Sequence, residues 1–336
     1  MVEFPISSKE ISSAWVSRVL GRVVSVLSIT QIGMDEGFTG GRLLRVVLNT
    51  GSVVVKMSPK DAALRVAFAA ANAREVAFYK LSAGWDLPVP AYFYGAFDLK
   101  TGASILVIED MDSRQSIPFS TGCNAGKVVQ VVDALAQVHR AFYNTDAKLD
   151  IATLTLFDEF EFAPMWSLYP ARVAELLPDV VLPDSFLALG DWLANDTRGI
   201  FKRMVTGPLT LVHRDVQLDN VLFGEDVVLL DWQFMGRGLG AHDLAFFMIS
   251  SVAPDIRNLI EGEMISRYYR AINIKDYTLE QCRVDYLFGA VWRLFITVMA
   301  TTQLDNASMY KQDWRRADLM RLIAFCEDYK IGSDSF

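Results

Sequence analysis

Three cysteines among 336 residues, Cys123, Cys282 and Cys326, lie far apart with no CxxC pair. They form neither a disulfide framework nor a zinc knuckle, and a reducing compartment is their simplest home. Basic residues are outnumbered, with 32 Lys plus Arg against 40 Asp plus Glu and a formal net charge of −8. A protein that grips nucleic acid through its phosphates carries the opposite balance, so no nucleic-acid partner is expected. The N-terminal MVEFPISSKEISSAW lacks the apolar run of about 7–15 residues that precedes a secretory cleavage site. The most apolar stretch, 286–300, contains Arg293 and falls short of the roughly 20 apolar residues that span a bilayer. It reads as a buried core helix, with no membrane partner and a cytoplasmic location expected. Repeats and low-complexity segments are missing as well, and nothing in the composition sets an oligomeric state.

What is present is ample core material: 52% hydrophobic against 21% charged residues, which excludes a disordered chain. The length suits about two domains of roughly 150 residues each. Residues 7–20 read as a short helix capped by Ser7 or Ser8. Segments 23–32, 42–48 and 52–57, rich in Val, Leu and Ile and separated by Gly-bearing turns, read as three strands joined by hairpins. A helix over 61–82 follows, then strands at 92–97 and 104–108. Beyond about residue 112 the pattern is mostly helical, interrupted by one short hairpin near 220–230. The expected architecture is α+β: a small five-stranded antiparallel sheet lobe, 1–111, and a larger mainly helical lobe, 112–336.

The most informative stretch is LVHRDVQLDNVLFGEDVVLLDWQ, residues 211–233. Short apolar strands at 221–223 and 227–230 flank Gly224-Glu225-Asp226, a three-residue turn. Folding about Glu225 sets Asn220 opposite Leu230, with Asp231 on the diagonal, where neighbours lie within about 8 Å. Asp215 and His213 precede the hairpin on a loop. Hard oxygen donors of this kind suit Mg²⁺, which takes about one or two protein carboxylates and completes its shell with water and phosphate. Turn chemistry alone accounts for any one of these residues. It does not account for the joint spacing H-x-D-x4-N with an Asp eleven residues later, which matches phosphoryl-transfer sites.

On these residues, HRDVQLDN, LLDWQ and GRGLGAHDLAFF, the chain resembles the aminoglycoside phosphotransferase and choline kinase superfamily, including its ecdysteroid-kinase-like members. LAQVHRAFYN, 135–144, and Gln217 add to the likeness, which covers about 20–300, with 211–247 its specific part. The resemblance implies a bilobal protein-kinase-like fold and transfer of the γ-phosphoryl group of ATP to a small-molecule hydroxyl. It implies Asp215 as acceptor of the hydroxyl proton, Asn220 and Asp231 as Mg²⁺ ligands, and Lys56 on the α- and β-phosphates. His213 is then a structural member of the loop, and Asp243 braces it. The stretch ILVIEDMDS reads as the hinge between lobes, where the main chain of Glu109 and Met111 meets adenine.

Two further features bear on the nucleotide. Glu75 falls on a helical stripe with Leu64, Phe68, Ala71, Phe78 and Ser82. A carboxylate on a buried stripe demands a partner, and Lys56 is the natural one. Gly33, Gly37, Gly40 and Gly41 do not spell GxGxxG and read equally as a hairpin turn or a phosphate cover; the resemblance favours the cover, with Gly40 and Gly41 nearest the phosphates. Arg214 stands where the small-molecule kinases mostly carry Gly, and Gln233 where kinases carry the Gly of DFG. Only eleven residues separate Asp231 from Asp243, too few for a peptide-docking loop, so a small acceptor is expected.

The acceptor itself stays open among antibiotic, secondary metabolite, steroid-like and amino alcohols. The acidic run Asp158, Glu159 and Glu161 and the aromatics Phe157, Phe160, Phe162, Trp166 and Tyr169 read either as acceptor contacts or as solvated face and core packing. The alternatives are a choline- or ethanolamine-type kinase and a kinase-shaped scaffold without turnover.

Overall fold

A computed structural model describes residues 4–32, 40–143, 161–303 and 312–330. The chain divides into two compact units, one of Met1–Arg114 with Leu230–Met235, the other of Gln115–Leu229 with Gly236–Phe336.

The first unit is built on a five-stranded antiparallel sheet: β1 (Val26–Ile32), β2 (Arg42–Leu48), β3 (Gly51–Met57), β4 (Tyr92–Asp98) and β5 (Ala103–Glu109), in the order β1-β2-β3-β5-β4. The strands predicted from sequence are all found, with ends shifted by a few residues; β1 starts at Val26, and Val23 before it is almost fully exposed. Strand periodicity of two decides the rest. Val53, Val55 and Met57 of β3 and Ile105 and Val107 of β5 face one core, shared with Trp15 and Val16 of α1 (Ser13–Leu20). Lys56 alternates with them and therefore points to the opposite face. There α3 (Ala69–Ser82) packs with its buried side, Ala71, Glu75, Phe78 and Ser82.

Two helical expectations need correction. The single helix over 61–82 is two, α2 (Ala62–Ala67) and α3, parted at Phe68 with φ −99° and ψ 11°. Leu64 is consequently exposed, so only the later part of the stripe is core. The segment 7–20 is likewise split into a 3-10 turn, Ser8–Glu10, capped by Ser7, and α1, whose cap is Ser12 accepting from the Trp15 N–H.

The second unit carries α4 (Ala125–Ala141), α5 (Phe162–Leu176), α6 (Asp184–Asn195), α7 (Thr197–Met204), α8 (Gly240–Ser251), α9 (Pro254–Ile272), α10 (Leu279–Gln303) and α11 (Gln312–Asp328). Every residue of α8 is buried, and α10 lies close against it because a Cβ on Gly289 would come within 2.3 Å of Ala245 Cβ. By length and composition α10 is able to cross a membrane, yet 67% of its apolar window is buried in this unit. Its Arg293 pairs with Asp318 of α11, which also accepts from Thr297 at 2.8 Å. The expected core helix at 286–300 is thus found. A short pair, β6 (Leu209–Val212) and β9 (Gly236–Leu239), is an addition to the sequence reading, while β7 (Val221–Phe223) and β8 (Val227–Leu229) form the predicted hairpin.

Candidate active site

In the first unit, Lys56 Nζ lies 2.9 Å from Glu75 Oε1, 2.8 Å from Glu75 Oε2 and 3.2 Å from Asp231 Oδ1. The expected lysine–glutamate pair is present, and Asp231 shares the same ammonium, which the sequence reading missed. Burial by itself lowers the lysine pKa, but the carboxylates of Asp231 and Glu75 outweigh it and raise the group above its usual value. Burial pushes Glu75 the other way, up, against the pull of Lys56. With both Glu75 oxygens within 2.9 Å of the ammonium, the geometry is that of an ion pair. One cation thus faces two carboxylates, and Asp231 is the more exposed of the two.

Asp231 sits in the left-handed region, φ 60°, a conformation that costs an L-residue about 1–2 kcal/mol unless its surroundings hold it. The residues after it hold it to α3. Trp232 stacks on Phe78 with centroids 3.7 Å apart and an 11° tilt, and Gln233 Nε2 donates to Asn72 Oδ1 at 2.9 Å. Gln233, where kinases have glycine, therefore fills a structural place. Asn72 was not foreseen; its signal is a buried amide on the same helix face as Glu75.

The hinge candidates show a defined main-chain pattern. Glu109 N–H donates to Ala91 O, and Met111 O accepts the Arg114 N–H. Between them Asp110 accepts from Arg45 Nε at 2.7 Å and Ser52 Oγ at 2.6 Å, with its side chain only 3% exposed. That acid anchors the segment. Gly40 lies at φ 63° and opens β2 with Gly41, while Gly33 and Gly37 lie outside the described residues.

In the second unit, the hairpin pairs Val221 with Leu229 and Phe223 with Val227, the register predicted by folding about Glu225. Asn220, at its mouth and 8% exposed, donates through Nδ2 to Asp215 O at 2.8 Å and Asp215 Oδ2 at 3.0 Å. Two acceptors on one side fix the amide's orientation, so its Oδ1 is the atom turned elsewhere. His213 is fully buried, and its Nδ1 accepts the Asp215 N–H at 3.2 Å. Its side chain thus shapes the loop.

Asp243, in the first turn of α8 and 1% exposed, gathers the loop's amides: His213 N–H at 2.5 Å and Arg214 N–H at 2.8 Å. Its Oδ2 also meets His139 Nε2 at 3.2 Å, and His139 Nδ1 meets Tyr268 Oη at 2.7 Å. Because a carboxylate only accepts, His139 Nε2 is the donor to Asp243, and Nδ1 stands within hydrogen-bond distance of the Tyr268 hydroxyl. Burial works to raise the Asp243 pKa, but the hydrogen bond from His139, the electrostatic pull of His139 and His213, and the His213 N–H together hold it below the usual carboxylate range. His139 and Tyr268 were not singled out from sequence. The available signal was a histidine on the apolar stripe of α4, one turn past Leu135, where an unpartnered ring costs energy.

Arg214 has φ 68° and is 7% exposed. Its Nη2 donates to Arg237 O at 2.6 Å, so one arm of the guanidinium is held by the main chain of β9. Of the acceptor candidates, Phe162, Trp166 and Tyr169 are buried and stack on one another, which is core packing. Glu161 is exposed, and Phe157, Asp158, Glu159 and Phe160 lie outside the described residues.

A model described as the phosphotransferase enzyme family matches residues 35–272. No curated protein matches the chain. Among solved structures, a choline kinase from Streptococcus pneumoniae superposes with TM-score 0.53 at 16% identity, covering 94% of this chain and 97% of its own. A spectinomycin phosphotransferase in complex with ADP and spectinomycin gives 0.51 at 13%, covering 97% and 99%. An aminoglycoside 2'-phosphotransferase in complex with GDP gives 0.52 at 14%, covering 96% and 98%. At these identities the likeness is one of fold: the five-stranded antiparallel sheet and helical lobe are those of protein-kinase-like small-molecule phosphotransferases.

Proposed function

The chain belongs to the phosphotransferase enzyme family, and from that premise we propose that it moves the γ-phosphoryl group of Mg-ATP to a hydroxyl of a small molecule. The observation that carries the reading is Lys56 held between Glu75 and Asp231. In phosphoryl transfer, alignment and charge neutralisation do most of the work, and a fixed ammonium beside a half-exposed carboxylate supplies both.

In this reading Lys56 positions the α- and β-phosphates, and Gly40 and Gly41 allow the main chain to approach them. The adenine meets the Glu109 carbonyl and the Met111 N–H. That choice follows from the groups already engaged, the Glu109 N–H and the Met111 carbonyl. Asn220 Oδ1 and the Asp231 carboxylate are the residues to hold Mg²⁺. They fit it because both are hard oxygen donors and because the Lys56 cluster carries one carboxylate in excess. The ion, when bound, neutralises charge on the phosphates. Asp215, its carboxylate oriented by Asn220, accepts the proton of the attacking hydroxyl.

A small acceptor is supported by the structural neighbours, whose descriptions name spectinomycin and gentamicin as bound molecules. The neighbours also carry both adenine and guanine nucleotides. A cytoplasmic location, where ATP is abundant, goes with this reading.

A mass-spectrometric screen of alcohols for a gain of one phosphate tests the proposal. Asp215→Asn is expected to lower transfer by about 10²–10⁴-fold with ATP affinity nearly intact. Asp231→Ala is expected to weaken Mg-ATP at least about tenfold, a loss of roughly 1.4 kcal/mol. Slow, acceptor-independent hydrolysis that is equal in wild type and Asp215→Asn refutes the reading and leaves a kinase-shaped scaffold.

A further inference from the structure

Arg214 is the residue immediately before Asp215, and among the described residues it is one of few other than glycine with a positive φ. The left-handed region costs such a residue about 1–2 kcal/mol, so other contacts must hold it there. Three do, each from a different element of the second unit. Its N–H donates to Asp243 on α8, its guanidinium donates to the Arg237 carbonyl on β9, and its own carbonyl accepts the Trp292 Nε1–H of α10 at 2.9 Å. Trp292 is 3% exposed and is itself immobilised by its stack on Phe295 at 5.4 Å and 14°, while Phe201 touches only its edge, with centroids 6.3 Å apart.

The consequence falls on the next residue. With Arg214 left-handed, the chain reverses, so that the amides of 213 and 214 both meet Asp243 while the carbonyl of 214 turns to the indole. The Asp215 N–H then closes back on His213 Nδ1. Loss of the indole bond leaves a buried carbonyl without its donor and lets Arg214 relax toward the right-handed region, displacing Asp215. A misplacement of about 1 Å in a reacting group is enough to cost about 10²-fold in rate.

We propose that Trp292 and Arg214 are positioning residues for phosphoryl transfer: the indole of α10 holds the peptide after Arg214 in the one orientation that presents Asp215. This rests on the role assigned to Asp215 above, and it ties that role to a helix nearly eighty residues away in sequence.

Kinetics and amide hydrogen exchange on the full-length chain test it. Trp292→Phe, which keeps the ring and removes the donor, is expected to lower kcat about tenfold, with KM for ATP within about twofold and faster exchange across 211–220. Phe201→Leu, which loosens the same aromatic packing and leaves the indole bond in place, controls for general destabilisation; its kcat is expected to stay near wild type. Arg214→Gly is expected to retain more activity than Arg214→Ala, because glycine adopts φ near 68° without strain. A merely structural arginine predicts the reverse order, since glycine removes more side chain. An unchanged kcat in Trp292→Phe, a fall in Phe201→Leu as large as that in Trp292→Phe, or Arg214→Ala equal to or above Arg214→Gly overturns the proposal and leaves the phosphotransferase reading standing. If the wild type transfers no phosphate, that reading fails on its own. Exchange across 211–220 then decides: acceleration in Trp292→Phe but not in Phe201→Leu sustains the loop-holding inference, and equal exchange ends it.

Discussion

Replacing Asp243 with asparagine changes almost no volume and removes one charge, and its cost follows from counting donors. Three point at the carboxylate: Arg214 N–H at Oδ1, and His213 N–H and His139 Nε2 at Oδ2. An amide offers one oxygen and one NH₂. With the oxygen in the Oδ2 place, the NH₂ faces the Arg214 N–H, donor against donor; the other orientation sets it against two donors. The better case loses one charge-assisted bond of about 1.5–3 kcal/mol and strands a buried donor at about 1–3 kcal/mol, so about 4 kcal/mol is expected in all. For a unit of this size about 1 kcal/mol moves the melting temperature by roughly 2–4 °C, so Asp243→Asn should melt about 8–16 °C below wild type by circular dichroism. Asp243→Ala, which strands all three donors, should melt lower still. A fall of less than about 3 °C in Asp243→Asn refutes the account of a charged, fully occupied anchor.

Two more outcomes follow from the same region. Gly240→Ala places a Cβ 2.1 Å from Tyr268 Oη and 2.6 Å from His139 Nδ1; as these are buried and bonded to each other, overpacking of about 3 kcal/mol is expected, and an unchanged urea midpoint contradicts it. His242 is pushed down to about 4 by burial, reinforced by the Arg214 guanidinium and opposed by the Asp243 carboxylate. A histidine held neutral in the fold and protonated in the unfolded chain gives its full stability above about pH 6.5 and loses it as pH falls toward 4. Between pH 7.5 and 5.0 the stability difference between wild type and His242→Gln should therefore shift by about 2 kcal/mol against wild type. A pH-independent difference shows that His242 is not buried neutral.

The parts of the site legible in sequence are those whose partners are dictated locally or by a burial rule. The hairpin register follows from a three-residue turn between two short apolar strands, and Val221 opposite Leu229 is its direct result. Lys56 and Glu75 follow from strand alternation and from the cost of a carboxylate on a buried helix face. The break at Phe68 was illegible because neither Gly nor Pro marks it and the apolar stripe runs through it. The β6–β9 pair was hidden by Gly-Arg-Gly-Leu, a sequence of poor strand propensity that is paired by its surroundings. His139, Tyr268 and Trp292 escaped for another reason. Their bonds join residues 78 to 129 positions apart, and no local pattern encodes the partner of a single buried donor.

The stretch from Asp231 to Asp243 bears on what kind of acceptor the chain can serve. Its residues are accounted for almost without remainder: a 3-10 turn at Trp232–Phe234, β9 at Gly236–Leu239, and the first turn of α8. Peptide-phosphorylating kinases carry there a loop whose ordering by phosphorylation, through an arginine partner, controls activity. Here Arg214, the arginine next to Asp215, is buried and bonded to the Arg237 carbonyl of that same stretch. Bringing it out would strip a cation from a satisfied bond and release a left-handed backbone, both uphill. The elements that a regulated kinase switches are thus built here as fixed parts: Trp232 and Gln233 are locked to α3, and Arg214 to β9. Neither segment is then a loop free to be ordered by phosphorylation, which accords with the small acceptor proposed above.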